Sequence, residues 1–201
     1  MLEYRLITPP TTEPISLPEA KAWLKVDHGD EDDLIQLLIQ TARERCEALA
    51  GLSLCLQQWA VYLQAWPMHS LEEWWDGMQE GAFTNEPLRA IALHHGPVRQ
   101  IDAFNLYDAS DNVTLYSPTY YALDRIRNRL ALQSEAPLPQ GTRLINPIEI
   151  VYTTGYEFIP GSIKAGLLKL IAHLYEHRGD TSSRIPNEIL ALWQPFMKVR
   201  L

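Results

Sequence analysis

The sequence is poor in the features that most small catalysts and nucleic-acid binders display. Only two of its 201 residues are cysteine, Cys46 and Cys55, and they lack the C-x-x-C or Cys/His spacing of a zinc or redox centre. No G-x-S-x-G, Walker or G-x-G-x-x-G segment occurs, so nucleophilic hydrolysis and nucleotide binding have no motif behind them. No apolar run approaches the roughly 18 residues of a membrane span, and MLEYRLITPP lacks the charged and apolar regions of a signal peptide. The expectation is a chain that stays in the cytosol where it is made and has no membrane partner. Positive charge is short as well: 17 Lys and Arg stand against 25 Asp and Glu, a net charge of -8. No basic stripe stands out, so tight DNA binding, which needs clustered Lys and Arg to release counterions, is not expected.

What is present is an ordinary globular composition, 46% hydrophobic and 21% charged, long enough for one sizeable core or two small ones. Residues Ile15 to Gly51 read as two helices. Ser16 and Glu19 form an S-x-x-E capping box, which predicts a short helix from Leu17 to Val26. A second helix is predicted to start at Asp30, with Glu31, Asp32 and Asp33 in its first turn, where the positive end of the helix dipole favours anions. Arg43 and Arg45 fall toward its other end, and Gly51 supplies the stop. Ile35, Ile39, Ala42, Cys46 and Leu49 advance by four, three, four and three, one apolar face that needs a covering partner. Cys46 is therefore read as a core residue.

After Gly51 the helical period gives way to β-branched and aromatic residues. Predicted strands are Gln57 to Leu63, Leu88 to Leu93, Ile101 to Tyr107, Val113 to Tyr116, Arg129 to Gln133 and Ile148 to Thr153. Ile148, Ile150 and Tyr152 define one face of the last. Asp108 to Asn112 is a hairpin turn. Helix returns after Pro160, capped by Ser162, with Ile163, Leu167, Leu170 and Leu174 on one face, and ends at Arg178-Gly179. Pro186 opens a final helix from Asn187 to Leu192, stopped by Pro195. This pattern predicts an α+β fold in which N-terminal and C-terminal helices pack together around an inserted antiparallel β region. Residues 1-201 are expected to form one domain, with 16-55 and 160-201 as the helical part and 56-156 as the β part.

His173-Leu-Tyr-Glu176-His177 matches the H-x-x-E-H spacing of inverted zincins, in which two histidines four apart bind zinc and the glutamate acts as general base. Those enzymes need a further carboxylate well downstream, and the acids after His177 are Asp180, three residues on, and Glu188. Lys169, His173 and Glu176 also make the polar stripe of a solvated helix face. No metal or cofactor is therefore expected; the competing readings are a small zinc metallohydrolase and a generic cytosolic interaction domain. Asp27 to Asp33 lacks the central glycine and final glutamate of an EF-hand loop, and helix-start chemistry accounts for it. His94-His95 ends a predicted strand without a ligand cluster. Trp66 to Pro87 combines Trp74 and Trp75 with five acids, which reads either as a flap over the protein's own sheet or as a subunit or partner contact. The end of the chain, with Trp193, Phe196, Met197, Arg200 and Leu201, places apolar side chains that need covering. Its helix is short enough that Asn187 to Leu201 is expected to be mobile unless docked.

The ordered set of segments LPEAKAWLKV, the DEDD hinge and ALAGLSL, then WWDGMQEGA (Trp74 to Ala82), GPVRQIDAFNLYD (Gly96 to Asp108), IEIVYTTGY (Ile148 to Tyr156), IPGSIKAGLLKLIAHLYEHRG and IPNEILALWQPFMKVRL resembles the head-tail connector (adaptor) family of tailed bacteriophages. That family also occurs in prophages and gene transfer agents. The resemblance spans most of the chain, and it implies a structural virion protein that makes and breaks no bond. It implies a ring of identical copies, dodecameric in the particle, under the portal protein and above a neck or tail-completion protein. The family's C-terminal portal contact carries over to Trp193, Phe196, Arg200 and Leu201. DNA would pass through the ring without specific binding, its slide helped by negative walls. The implied location is the virion neck, after assembly in the bacterial host cytoplasm.

Overall fold

The computed structural model describes residues 2–67, 89–178 and 184–197. The chain divides into two compact units, one mainly helical (Thr8–Gln57, His95–Pro97, Thr154–Leu201) and one of β structure (Met1–Ile7, Gln58–His94, Val98–Thr153).

The helical unit packs α1 (Leu17–Leu24) and α2 (Asp32–Ala50) from the N-terminal half against α3 (Gly161–Glu176) and α4 (Asn187–Trp193) from the C-terminal half. The fold is α+β, with N- and C-terminal helices packed together as the residue pattern predicts. Ser16 caps α1 as expected, its hydroxyl accepting from the Glu19 N–H at 3.3 Å. The helix closes two residues early because Lys25 turns left-handed (φ 58°). The Lys25 N–H then reaches the Ala22 carbonyl at 3.4 Å and the Val26 N–H reaches Lys21 at 3.0 Å, the Schellman arrangement that satisfies the last orphan carbonyls.

Three details of the helices differ from expectation. Asp30 does not cap α2; Glu31 holds that position without a side-chain cap bond, because its carboxylate is occupied elsewhere. Tyr175 donates its hydroxyl to Glu31, and Arg178 reaches the other carboxylate oxygen at 2.8 Å, tying the start of α2 to the end of α3. The apolar stripe ends on buried Ala50 rather than on Leu49, which is exposed; stepping four from Cys46 keeps the face that stepping three leaves. Pro160, not Ser162, is the N-terminal boundary of α3, which places Ser162 inside the first turn.

The stripe itself, Ile35, Ile39, Ala42 and Cys46, is buried against Ile163, Leu167, Leu170 and Leu174, with Ile189 and Trp193 completing the same core. Asn187 to Met197 is thus held by the chain's own core, which corrects the expectation that it needs a docking partner to order it. Arg43, expected to act on the helix dipole, is instead buried on α2 with its guanidinium 2.8 Å from Glu13 and 3.0 Å from Glu47.

The β unit contains a five-stranded sheet in the order β1-β2-β8-β4-β5 and a three-stranded sheet in the order β3-β7-β6. The strands are β1 (Leu2–Thr8), β2 (Gln57–Leu63), β3 (Ala90–Ala92), β4 (Val98–Tyr107), β5 (Val113–Leu115), β6 (Tyr121–Asp124), β7 (Arg129–Leu132) and β8 (Ile148–Thr154). β1 and β6 are absent from the sequence reading. In β1 only Leu2 and Tyr4 pack on the core, and the adjacent exposed Leu6 and Ile7 break the alternation. β6 is four residues after a 3-10 turn, and its pairing with β7, Tyr121 opposite Leu132 through Asp124 opposite Arg129, makes it a strand.

The core of this unit gathers Val61, Leu63, Phe104, Leu130, Ile148, Ile150 and Tyr152. Phe104 sits among Tyr116, Tyr121 and Trp66 with ring centroids 4.7, 5.6 and 6.1 Å away, spacings at which edge-to-face and offset packing are favourable. The predicted hairpin joins β4 to β5: the Asp108 carboxylate accepts the N–H groups of Ser110 at 2.7 Å and Asn112 at 2.9 Å, and Asp111 takes the left-handed conformation (φ 61°).

Candidate assembly surfaces

Of the C-terminal residues read from the sequence as a partner contact, Trp193 and Phe196 fall within the described structure, in different environments. Trp193 has no accessible surface; its indole N–H points to the Ile163 carbonyl at 3.4 Å, so it is a core side chain of the helical unit. Phe196 is half-buried against the same core and keeps one side outward. Arg200 and Leu201 lie outside the described residues, as do Trp74 and Trp75.

The H-x-x-E-H segment falls at the end of α3. The His173 and His177 rings lie 4.4 Å apart by centroid, but His177 Nδ1 is 2.9 Å from the His173 carbonyl. Glu188 lies 3.7 Å from Lys169, not at the histidines. Among the described residues, no group of three or more His, Cys, Asp and Glu is placed to hold a metal ion. His94 packs its ring 4.6 Å from that of Tyr4. Both cysteines are free and buried; burial pushes the Cys46 thiol up to about 12 and the Cys55 thiol to about 11, so neither forms a thiolate at neutral pH.

The acids at the α1–α2 corner divide in the same way. Asp32 pairs with Lys21 at 2.5 Å and Glu31 with Arg178, but Asp27, Asp30 and Asp33 are exposed, and among the described residues His28 alone approaches Asp30, at 3.8 Å. One turn along α2 from Asp33, Leu37 is exposed too.

The sequence reading found no basic stripe, yet the β6–β7 turn carries three arginines in five residues: Arg125, Arg127 and Arg129. All three are exposed, and none of their side chains makes a hydrogen bond or ion pair among the described residues. Between them Ile126 is 94% exposed. The turn is built rather than loose. The Asp124 carboxylate accepts the Ile126 and Arg127 N–H groups at 3.0 and 3.1 Å. Asn128, left-handed at φ 51°, accepts the Val98 N–H on its side chain and the Leu93 N–H on its carbonyl, both at 2.8 Å. The R-I-R-N-R string was visible in the sequence; a net charge summed over the whole chain hid it.

A second outward feature lies at one end of the five-stranded sheet. Gln64 clasps the loop before β8, donating to the Leu144 carbonyl at 2.8 Å and accepting the Asn146 N–H at 3.1 Å. Arg143 spans the same loop, donating to the Ile145 carbonyl at 2.7 Å and lying 3.9 Å over the Tyr107 ring. The backbone is thus pinned while Leu144 and Ile145 face solvent. On neighbouring strands Glu149 accepts from Tyr107 at 2.6 Å and from Asn105 at 2.8 Å.

Among the described residues, the arrangements that face outward are the β6–β7 turn, the α1–α2 corner and the loop before β8. No protein-family model and no curated protein matches the chain. Solved structures do. The chain is similar to one in the neck of an empty gene transfer agent particle computed with C6 symmetry, with TM-score 0.74 and 22% identity over 100% of this chain and 97% of that one. It is similar to one in the neck of the native particle computed with C12 symmetry, with TM-score 0.71, 22% identity and the same coverage. A third likeness, to a chain in the virion of the native gene transfer agent particle, has TM-score 0.73 at 21% identity, again over 100% and 97% of the two chains. The shared fold runs through both units, end to end.

Proposed function

We propose that this protein is a structural component of the neck of a phage-like particle, a head-tail connector that forms a ring of identical copies between the portal and the next neck or tail component. The observation that carries the reading is the full-length likeness to chains of gene transfer agent necks, which include one computed with twelvefold symmetry. It coincides with the connector-like order of segments in the sequence. The function is geometric: each copy offers one surface to the copy before it and a different one to the copy after it, a heterologous contact that closes a ring when the rotation per subunit divides the circle.

In this reading the net charge of -8 keeps the passage from gripping DNA, because duplex phosphates and the ring wall repel. The portal-facing contact is the outward side of Phe196 with Arg200 and Leu201, while Trp193 anchors the segment from within the core. Trp74 and Trp75 remain candidates for a subunit or partner contact. The division into a helical part (16–55 and 160–201) and a β part (56–156) belongs to the same proposal, as the two parts of one subunit.

Electron microscopy of particles purified with and without this chain tests it. A ring of density below the portal that is lost with the chain, together with heads that fail to join tails, supports the reading. Intact necks in its absence overturn it.

A further inference from the structure

The β6–β7 turn is the least expected surface of this acidic protein, and its chemistry asks for a partner. Three guanidinium groups have no hydrogen bond or ion pair among the described residues, and the side chain between them, Ile126, is 94% exposed. The backbone beneath is fixed by Asp124 and Asn128, so little backbone entropy would be lost on docking. An apolar tip ringed by cations fits a surface that offers carboxylates around apolar area.

The same chain carries one. At the α1–α2 corner Asp27, Asp30 and Asp33 are exposed, and Leu37, four residues after Asp33 and so on the same helix face, is 58% exposed. We infer that the Arg125–Arg129 turn of one copy docks on the Asp27–Leu37 corner of a second copy, with Ile126 set against Leu37, as the subunit contact of the ring proposed above. The inference rests on that ring. Charge complementarity selects this occupant. Copies with a net charge of -8 repel at long range, and opposing three arginines to three aspartates reverses the sign locally and sets the register. Another strongly exposed apolar side chain, Phe158, is flanked by Glu157 and does not match the acidic corner. DNA is the competing partner for three arginines, but it would leave Ile126 uncovered, and three cations give only a weak, salt-sensitive hold.

The test uses the full chain in assembled particles. Ile126→Cys and Leu37→Cys in one chain should give ladders of linked subunits with a short thiol-reactive crosslinker, while either variant alone should not; the native cysteines are buried and do not compete. Arg125→Glu with Arg127→Glu should lower ring occupancy by about tenfold or more, and adding Asp27→Arg with Asp30→Arg should restore it, since reversing both faces returns the complementarity. Particles that keep a neck ring containing this chain, yet show no ladder and no loss on charge reversal, overturn the contact and leave the connector reading standing. Charge reversal that weakens DNA binding while the ring persists also overturns it, in favour of a phosphate contact. Absence of the wild-type chain from the neck defeats both.

Discussion

Gly166 on α3 and Trp193 on α4 are a matched pair: a Cβ added at Gly166 would lie 2.2 Å from the indole Nε1 of Trp193. The glycine leaves the space that lets the largest side chain of the helical core lie flat on α3 and donate to the Ile163 carbonyl. Gly166→Ala should therefore destabilise the protein by about 1–3 kcal/mol through overpacking, and Trp193→Ala by about 3–5 kcal/mol through the cavity it opens. Urea or guanidinium unfolding measures both, and Gly166→Ala should cost much less in a Trp193→Ala background, where the clash is gone.

The tail follows the same geometry. Removing residues 193–201 should destabilise the helical unit strongly, because it takes Trp193 out of the core. Removing only 198–201 should leave the unfolding midpoint close to that of the full chain. If the portal reading holds, the shorter deletion lowers attachment to portal-bearing heads, and Phe196→Ala weakens it by about 2 kcal/mol or more. Thermal unfolding and a head-binding assay together separate the two effects.

Arg43 is held by Glu13 and Glu47, and Glu47 also accepts the Leu54 N–H at 2.7 Å and the Gln57 side chain at 2.9 Å. Arg43→Ala leaves a buried carboxylate without its counter-charge and should cost about 3–5 kcal/mol at neutral pH. Burial already raises the Glu47 pKa, against the opposing pull of the Leu54 N–H and Arg43. A group whose folded pKa is raised binds its proton more readily in the native state, so acid relieves the penalty. The deficit of Arg43→Ala relative to wild type should shrink between pH 7 and pH 5, read from urea unfolding at the two pH values.

Glu149 has the opposite sign. Burial acts to raise its pKa, but hydrogen bonds from Tyr107, Asn105 and Tyr62, with Arg143 nearby, outweigh it and hold the carboxyl below its ordinary value. The stability this contributes is present above the unfolded pKa of about 4.3 and is lost as pH falls through the lower folded value. Glu149→Gln should be less stable than wild type at pH 7, and the gap should close below about pH 4. A constant gap across that range would mean that the Glu149 charge contributes nothing.

The amino-acid order alone determined the parts governed by neighbours in the chain. The Ser16 cap, the Gly51 stop, the Asp108 turn and the alternation of Ile148, Ile150 and Tyr152 depend on contacts a few residues apart, and each is where the sequence puts it. The helical period of α2 was legible as well, because an amphipathic stripe records burial without naming what covers it. Tertiary structure decided what long-range partners control. β1 and β6 are strands because of their pairing in the sheets, not because of their own pattern. Glu31 displaced Asp30 at the start of α2 because Tyr175 and Arg178, far along the chain, engage its carboxylate. Trp193, legible as an apolar residue in need of cover, is covered by the chain's own core, where Gly166 makes room for it. The β6–β7 arginines were in plain view as a string, but whether three cations are paired or left open to a partner depends on which carboxylates the fold brings near them. The Asp124 carboxylate accepts from the backbone of that turn, and among the described residues the three arginine side chains have no hydrogen bond or ion pair.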